Sequence, residues 1–146
     1  MNLFPVLLVA HVSLAIALLL PSVVLPFILR GGREPGAVAE WLVVAQGNGT
    51  LLIGLGLAVT GAAMLAILGP SLLRQPWLLV ALLLYAINLL VAGFISRPNL
   101  RRLIGIGASD AATWRRRARQ QRYVAYGMAA VIGVIGFLMS TKPQLW

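Results

Sequence analysis

Four of the polar side chains within the long apolar stretches of this sequence are its best candidates for chemistry. His11, the single histidine, is the only side chain in these stretches that titrates near neutral pH. An ionisable group in such a stretch is a functional hypothesis by default. At about 1.5 Å of rise per helical residue, His11, Thr60 and Tyr85 lie at one depth, and Asn88 lies a turn deeper than Tyr85. The sequence thus predicts one interior polar layer made of His11, Thr60, Tyr85 and Asn88.

His11 has two interpretations, and the sequence leaves both open. In the first, its neutral imidazole is an axial ligand of haem b or of a chlorophyll-type pigment, because imidazole is the usual ligand of such cofactors. A second ligand would then come from a methionine, from a second copy of the chain or from a partner. In the second, the histidine hydrogen-bonds a polar group on an adjacent helix and no cofactor is bound. We expect the second for the isolated protein, and we expect interhelical hydrogen bonds for Tyr85 and Asn88 as well.

The sequence lacks the residues that cysteine chemistry and carboxylate-based catalysis need. The absence of cysteine excludes disulfides, thiolate catalysis, Cys-ligated zinc and iron–sulfur clusters. The three acidic residues, Glu34, Glu40 and Asp110, lie outside the apolar stretches, so neither a carboxylate pair nor a Ser-His-Asp arrangement is predicted. We therefore expect no catalytic residues and no metal site.

The candidate residues lie on four long apolar segments that contain no Asp, Glu, Lys or Arg. Each has the roughly 18 to 20 residues that a helix needs to cross about 30 Å of hydrocarbon. The chain is 60% hydrophobic with a mean hydropathy of +0.93, which leaves room for little outside a bilayer. The sequence therefore predicts an all-α polytopic membrane protein, in which residues 1–146 form a single four-helix transmembrane bundle with helices at about 3–29, 50–68, 77–96 and 123–141.

The basic residues predict the orientation of that bundle. Of the 12 basic residues, only Arg74 and Lys142 fall on the side of the termini, and the other ten lie in segments 30–49 and 97–122. By the positive-inside rule those segments are cytoplasmic, and both termini are extracytoplasmic in a bacterial inner membrane. The net charge of +9 is then explained by orientation and by anionic lipid head groups, so we expect no nucleic acid partner.

Small residues recur every fourth position on two of the predicted helices. Such stripes let a neighbouring helix backbone approach closely in a membrane. They predict close packing of the second helix against the fourth. The stripes consist of Gly54, Ala58 and Ala62 on the second helix, and of Ala125, Ala129 and Gly133 on the fourth.

Five arginines form a cluster just before the fourth apolar segment. The segment between residues 111 and 122 contains no helix breaker, so the fourth helix is expected to extend into it, with Ser109 as its N-cap and Asp110 as a first-turn acid. The cluster either contacts anionic lipid head groups as a positive-inside signal or docks an acidic partner. Its members are Arg115, Arg116, Arg117, Arg119 and Arg122.

The order of these features resembles a family of small bacterial four-helix integral membrane proteins known only as a domain of unknown function. The resemblance spans nearly the whole chain and rests on Val9-Ala10-His11, Arg30, Thr60-Gly61, the basic stretch from Arg97 to Arg102, and the ending Leu138-Met139-Ser140-Thr141-Lys142-Pro143. The layout is also similar to copper-resistance D-type proteins and to the HemJ type of protoporphyrinogen oxidase, in which a histidine of the first helix ligates haem. Only His11 carries over as that ligand. Because the second histidine of the HemJ type has no counterpart here, oxidase activity is not implied.

Three functions follow as hypotheses. The first is a non-catalytic accessory subunit that packs against itself or against other membrane subunits of a respiratory or photosynthetic complex. The alternative is a redox protein that binds haem or a pigment through His11. The third is a small transporter or permeability factor, and an absorption spectrum separates the second hypothesis from the other two.

Overall fold

The structure is a computed structural model that describes residues 3–29, 48–105 and 110–142, and it contains no strand within those ranges. Four of its helical stretches are long and apolar enough to cross a membrane, which confirms the predicted multi-pass helical protein. A short 3-10 helix at Pro70–Arg74 links the second helix to the third. The five α-helices are α1 (Leu3–Ile28), α2 (Thr50–Leu68), α3 (Pro76–Val91), α4 (Arg97–Gly105) and α5 (Ala111–Thr141).

Turn residues determine where α2 ends and where α3 begins. Gly69 has a φ of 97°, a conformation that is costly for residues with a Cβ, and its N–H donates to the carbonyl of Leu65 to close α2. Pro76 is the first residue of α3, where the missing N–H of a proline removes no helical hydrogen bond. These residues explain why the predicted bounds of the second helix agree with the structure.

The third membrane-crossing helix is longer than the sequence predicts. The predicted helix ends at Ser96 and a loop follows Pro98, but the chain continues from α3 through a π-helical turn, Ala92–Ser96, directly into α4. In that turn the N–H of Arg97 donates to the carbonyl of Ala92, five residues earlier. The wider turn provides for Pro98, which lacks an N–H and would crowd a regular α-helical turn. The predicted loop is therefore wrong for residues 99–105, which are helical.

The fourth membrane-crossing helix begins well before its apolar part, as predicted. Helix α5 runs from Ala111 to Thr141, so the arginine cluster is helical. Its N-cap is Asp110, whose Oδ1 accepts a hydrogen bond of 3.0 Å from the N–H of Thr113. The expectation that Asp110 is a first-turn acid is thus wrong, and the proposed Ser109 cap lies outside the described residues. The sequence also predicts a short helix over residues 37–46, and those residues lie outside the described ranges as well.

The helices run antiparallel, and each packs mainly against one or two neighbours. Helix α1 packs against α2 and α5, and α3 packs against α5. Leu14 lies beside Gly56 of α2, where an added Cβ would lie 3.3 Å from the leucine Cδ1. Over the described ranges α2 and α5 make no comparable contact, so the predicted close packing of the second helix against the fourth is wrong. The glycines of α2 that contact α1, Gly56 and Gly61, do not belong to the predicted stripe.

A cluster of buried apolar side chains lies at one end of the bundle, and further buried apolar residues such as Ala81 and Leu138 lie along the rest of it. We call the end with the cluster the basic end because α4 and the arginines of α5 lie there. The opposite end, where α1 begins and α5 ends, is called the terminal end. Large apolar side chains such as Leu52 and Phe94 are exposed along the helices, as expected for surfaces that face lipid. The core cluster at the basic end consists of Leu25, Leu29, Leu100, Leu103 and Ala118, with Trp114 packed against it.

Candidate functional site

His11 is hydrogen-bonded to α2. Its Nδ1 lies 2.9 Å from the hydroxyl oxygen of Thr60. That hydroxyl lies 2.9 Å from the carbonyl of Gly56 and 3.1 Å from that of Leu57, and it donates its only proton to them. With that proton assigned to the carbonyls, Thr60 accepts the hydrogen bond from Nδ1–H of His11, and a neutral imidazole would then be the Nδ1–H tautomer. The pattern assigns the lone pair to Nε2, the nitrogen that could ligate a cofactor.

Gly61 makes this contact possible. A Cβ at position 61 would lie 3.2 Å from Cε1 of His11, which is closer than side chains ordinarily approach. The imidazole therefore lies close to the backbone of α2 at Gly61. Glycine at 61 and threonine at 60 act together, one by leaving space for the ring and the other by accepting its proton.

Tyr85 forms a second polar contact at a different depth. Its hydroxyl donates to the carbonyl of Gly54. Gly54 and Thr60 are six residues apart on α2, which places the two contacts about 9 Å apart along the helix axis. The structure therefore brings His11 together with Thr60, as the polar layer requires, but it joins Tyr85 to the backbone of α2 nearer the basic end.

Asn88 is buried with neither of its side-chain atoms satisfied. Its exposed fraction is 1%, and neither Oδ1 nor Nδ2 has a hydrogen-bond partner among the described residues. An amide buried without partners lowers stability, because its hydration has been lost and nothing replaces it. Asn88 shares a helix face with Tyr85, yet no described hydrogen bond joins it to Tyr85 or to His11.

A third polar contact, which the sequence interpretation missed, joins α5 to the π-helical turn. The side-chain amide of Gln121 donates to the hydroxyl of Ser96 across 2.8 Å, and both residues are buried. Gln121 was assigned to a basic cytoplasmic segment because five arginines surround it. One signal was available in the sequence: Gln121 stands at helical spacing from Ala118, Ala125 and Met128, which are all buried on α5.

The predicted stripes are only partly covered inside the bundle. Gly54 is buried against α3, where an added Cβ would lie 2.5 Å from the Leu89 side chain. Ala58 and Ala62 are exposed. On α5, Ala125 is fully buried and Ala129 is half-buried, whereas a Cβ added at Gly133 would meet no atom within 4 Å. Both stripes thus begin in the core and become uncovered toward the terminal end.

Four of the five clustered arginines line an open groove between the end of α1 and the first turns of α5. The groove has a volume of about 370 Å³, and we call it the basic groove. Arg117 does not line it. Its lining residues are Leu29, Trp114, Arg115, Arg116, Ala118, Arg119 and Arg122.

The described residues hold no group of three or more His, Cys, Asp or Glu side chains that could bind a metal ion. No family model, curated protein or solved structure matches this chain. The resemblance to four-helix membrane proteins of unknown function therefore stays a prediction, and the arguments for function rest on the three polar contacts, the uncovered stripes and the basic groove.

Proposed function

We propose that this protein is a non-catalytic integral membrane subunit, which packs against itself or against other membrane subunits of a respiratory or photosynthetic complex. The observation that carries the proposal is that its small-residue stripes are uncovered toward the terminal end. Ala58 and Ala62 of α2 are exposed, and Gly133 and Gly136 of α5 would admit a Cβ without contact. A helix from another subunit, or from a second copy of this chain, could therefore pack closely against these positions.

The physics of a bilayer supports this role for such surfaces. Lipid tails are as apolar as leucine, so membrane helices associate through close packing and interhelical hydrogen bonds rather than through a hydrophobic driving force. Small residues permit that packing because they let two backbones approach. Helix α1 lies between α2 and α5, so the two uncovered surfaces can each receive a separate helix.

The test is co-purification in mild detergent with variants that fill these surfaces. Ala62→Leu and Gly133→Leu should remove co-migrating subunits, or a second copy, from the wild-type complex. Ala17→Leu, which makes the same kind of change at an exposed position of α1, should leave the complex intact. A monomeric, partner-free protein that moves a solute across the membrane would contradict the proposal and favour the transporter hypothesis.

The proposal includes the predicted location in a bacterial inner membrane, with both termini extracytoplasmic. Its support is the asymmetry of charge between the two ends of the bundle. Among the described residues, the basic end carries eight arginines, whereas the terminal end carries only Arg74 and Lys142. Such an asymmetry normally decides orientation.

A second candidate function, binding of haem or a chlorophyll-type pigment, is favoured by the tautomer of His11. A metal-ligating histidine typically donates its other ring N–H to a protein acceptor, which fixes the ring. Thr60 supplies such an acceptor, and in a neutral imidazole that donates from Nδ1 the lone pair is on Nε2. A visible absorption spectrum of the purified protein decides between this function and the first.

A further inference from the structure

We infer that the basic groove binds the head group of an anionic phospholipid, a site distinct from the helix-packing surfaces of the proposed function. Four arginine side chains converge on a volume of about 370 Å³. Guanidinium groups are suited to phosphate because their planar N–H donors match its oxygens in pairs. No acidic side chain of the described residues lines the groove, so its arginines are not neutralised by those residues.

The arginines of the groove are spaced so that they repel one another, and an anion between them would offset that repulsion. Arg115 and Arg119 are four residues apart, and Arg119 and Arg122 are three apart, so all three lie on one face of α5. Like charges at these spacings destabilise a helix. A phosphate in the groove would add attractive interactions with these arginines that offset their mutual repulsion.

The position and lining of the groove identify the source of the phosphate as a lipid. Helix α1 is apolar up to Leu29, and α5 carries no charged residue between Tyr123 and Thr141. The groove therefore lies where the membrane-crossing parts of both helices end. Beside the arginines its walls are Leu29, Ala118 and the Trp114 side chain, which packs on the core cluster. This mixed lining fits a head group with its adjoining glycerol and chain, and basic pockets between membrane helices bind such lipids.

The number of arginines also favours a particular lipid charge. Each basic residue near a membrane surface contributes separately to the attraction of anionic lipid. Four arginines in one groove should therefore prefer a lipid with two phosphates, such as cardiolipin, over phosphatidylglycerol with one. Zwitterionic phosphatidylcholine should bind much more weakly than either.

The experiment measures lipid binding to the full-length protein in neutral detergent micelles. Bound lipid is counted by native mass spectrometry, and the shift in apparent Tm is followed as cardiolipin, phosphatidylglycerol, phosphatidylcholine or inorganic phosphate is added. The groove variant carries Arg115→Gln, Arg119→Gln and Arg122→Gln. The matched control carries Arg101→Gln, Arg102→Gln and Arg117→Gln, which removes the same charge at positions that do not line the groove.

We expect the groove variant to lose roughly tenfold or more in cardiolipin affinity, and the control to change by less than about twofold. If the triple variant does not fold, two single variants replace it. Arg119→Gln in the groove should then lower cardiolipin affinity more than Arg117→Gln outside it, with smaller changes in both. Equal losses in both variants would overturn the inference in favour of diffuse surface charge. An equal Tm shift with inorganic phosphate would overturn the lipid assignment. Lipid binding that appears only after Glu34→Gln and Glu40→Gln would assign the groove to the chain's own acidic residues.

Because none of these measurements requires a partner subunit, the two proposals fail separately. Loss of co-purifying subunits in Ala62→Leu or Gly133→Leu concerns the uncovered stripes alone. Loss of cardiolipin in the groove variant concerns the basic groove alone.

Discussion

The side-chain amide of Gln121 donates a 2.8 Å hydrogen bond to the hydroxyl of Ser96, which joins α5 to the π-helical turn between α3 and α4. Gln121 is 0% exposed and Ser96 is 2% exposed, so water cannot replace this bond. Both residues lie among side chains that would otherwise pack in many registers. We interpret the bond as the contact that selects one register of α5 against α3, a role for which isolated buried polar groups are well attested.

Gln121→Leu should lower the free energy of unfolding by about 0.6 kcal/mol, and by at most roughly 2 kcal/mol, because interhelical hydrogen bonds in bilayers are of that size. Reversible unfolding in detergent measures this change.

Asn88→Leu should be neutral or stabilising in the same measurement, because the Asn88 amide has no partner among the described residues. A marked loss of stability in Asn88→Leu would show that Asn88 has a partner in the membrane and would make it a site residue.

His11→Ala tests the cofactor hypothesis directly. If His11 only bonds Thr60, the wild type should show no Soret or far-red band, and the variant should lose about 0.6 kcal/mol of stability. We expect this outcome for the isolated protein. The double variant His11→Ala, Thr60→Val should cost little more than the single one, because the bond is already lost. A wild-type band that disappears in His11→Ala would establish the haem or pigment function instead.

Gly61→Leu should disrupt the packing of α1 on α2. The Cβ alone would lie 3.2 Å from His11, and the rest of the leucine would occupy the place of the imidazole. Overpacking of this kind costs roughly 1 to 3 kcal/mol. Gly127→Leu is the matched control, since a Cβ at Gly127 meets nothing within 4 Å. Equal stability of the two variants, measured by thermal unfolding, would contradict the contact between His11 and α2.

The N-cap of α5 should respond to acid only at low pH. The side chain of Thr113, followed by its backbone N–H, hydrogen-bonds the Asp110 carboxylate and holds its pKa below the usual range. A group with a lowered folded-state pKa stabilises the helix start above its unfolded-state pKa, and this contribution is lost as pH falls through the lower value. The NMR shift of the Thr113 amide should report that titration. Asp110→Asn should keep the cap without the titration, whereas Asp110→Ala should lose both.

Reporter fusions test the proposed orientation. Fusions at either terminus should report an extracytoplasmic position, and a reporter inserted at residues 106–109, between α4 and α5, should report a cytoplasmic one. The physical reason is that translocating the arginines of the basic end is strongly unfavourable. A cytoplasmic C-terminus would overturn the assignment.

Much of the fold could be predicted because membrane helices leave a plain pattern in the sequence. An apolar run must be long enough to cross the bilayer and must satisfy its own backbone, so the bounds of α1 and α2 follow almost directly from composition. The extension of α5 through its arginines was predictable too, because no helix breaker interrupts it. The predicted loop after Pro98 is wrong because a proline by itself indicates a helix breaker, whereas the π-helical turn Ala92–Ser96 accommodates it.

The candidate site was less predictable, since depth along a helix does not specify direction around it. Counting residues placed His11, Thr60 and Tyr85 in one layer. Only the packing of α1 on α2 joined His11 to Thr60, and only the contact of α3 with α2 placed Tyr85 at the carbonyl of Gly54. Small-residue spacing likewise marked α2 and α5 as helices that pack closely. It could not show that α1 lies between them.

The sequence by itself thus determined four membrane-crossing helices and the concentration of charge at one end, because both depend on composition along the chain. The tertiary structure alone decided which helices are neighbours, which face of each stripe is uncovered, and that Arg115, Arg119 and Arg122 converge on Leu29 in one groove. Those features depend on the rotation of each helix about its axis. In a bilayer that rotation is determined by side-chain packing between helices rather than by a contrast between apolar and polar faces.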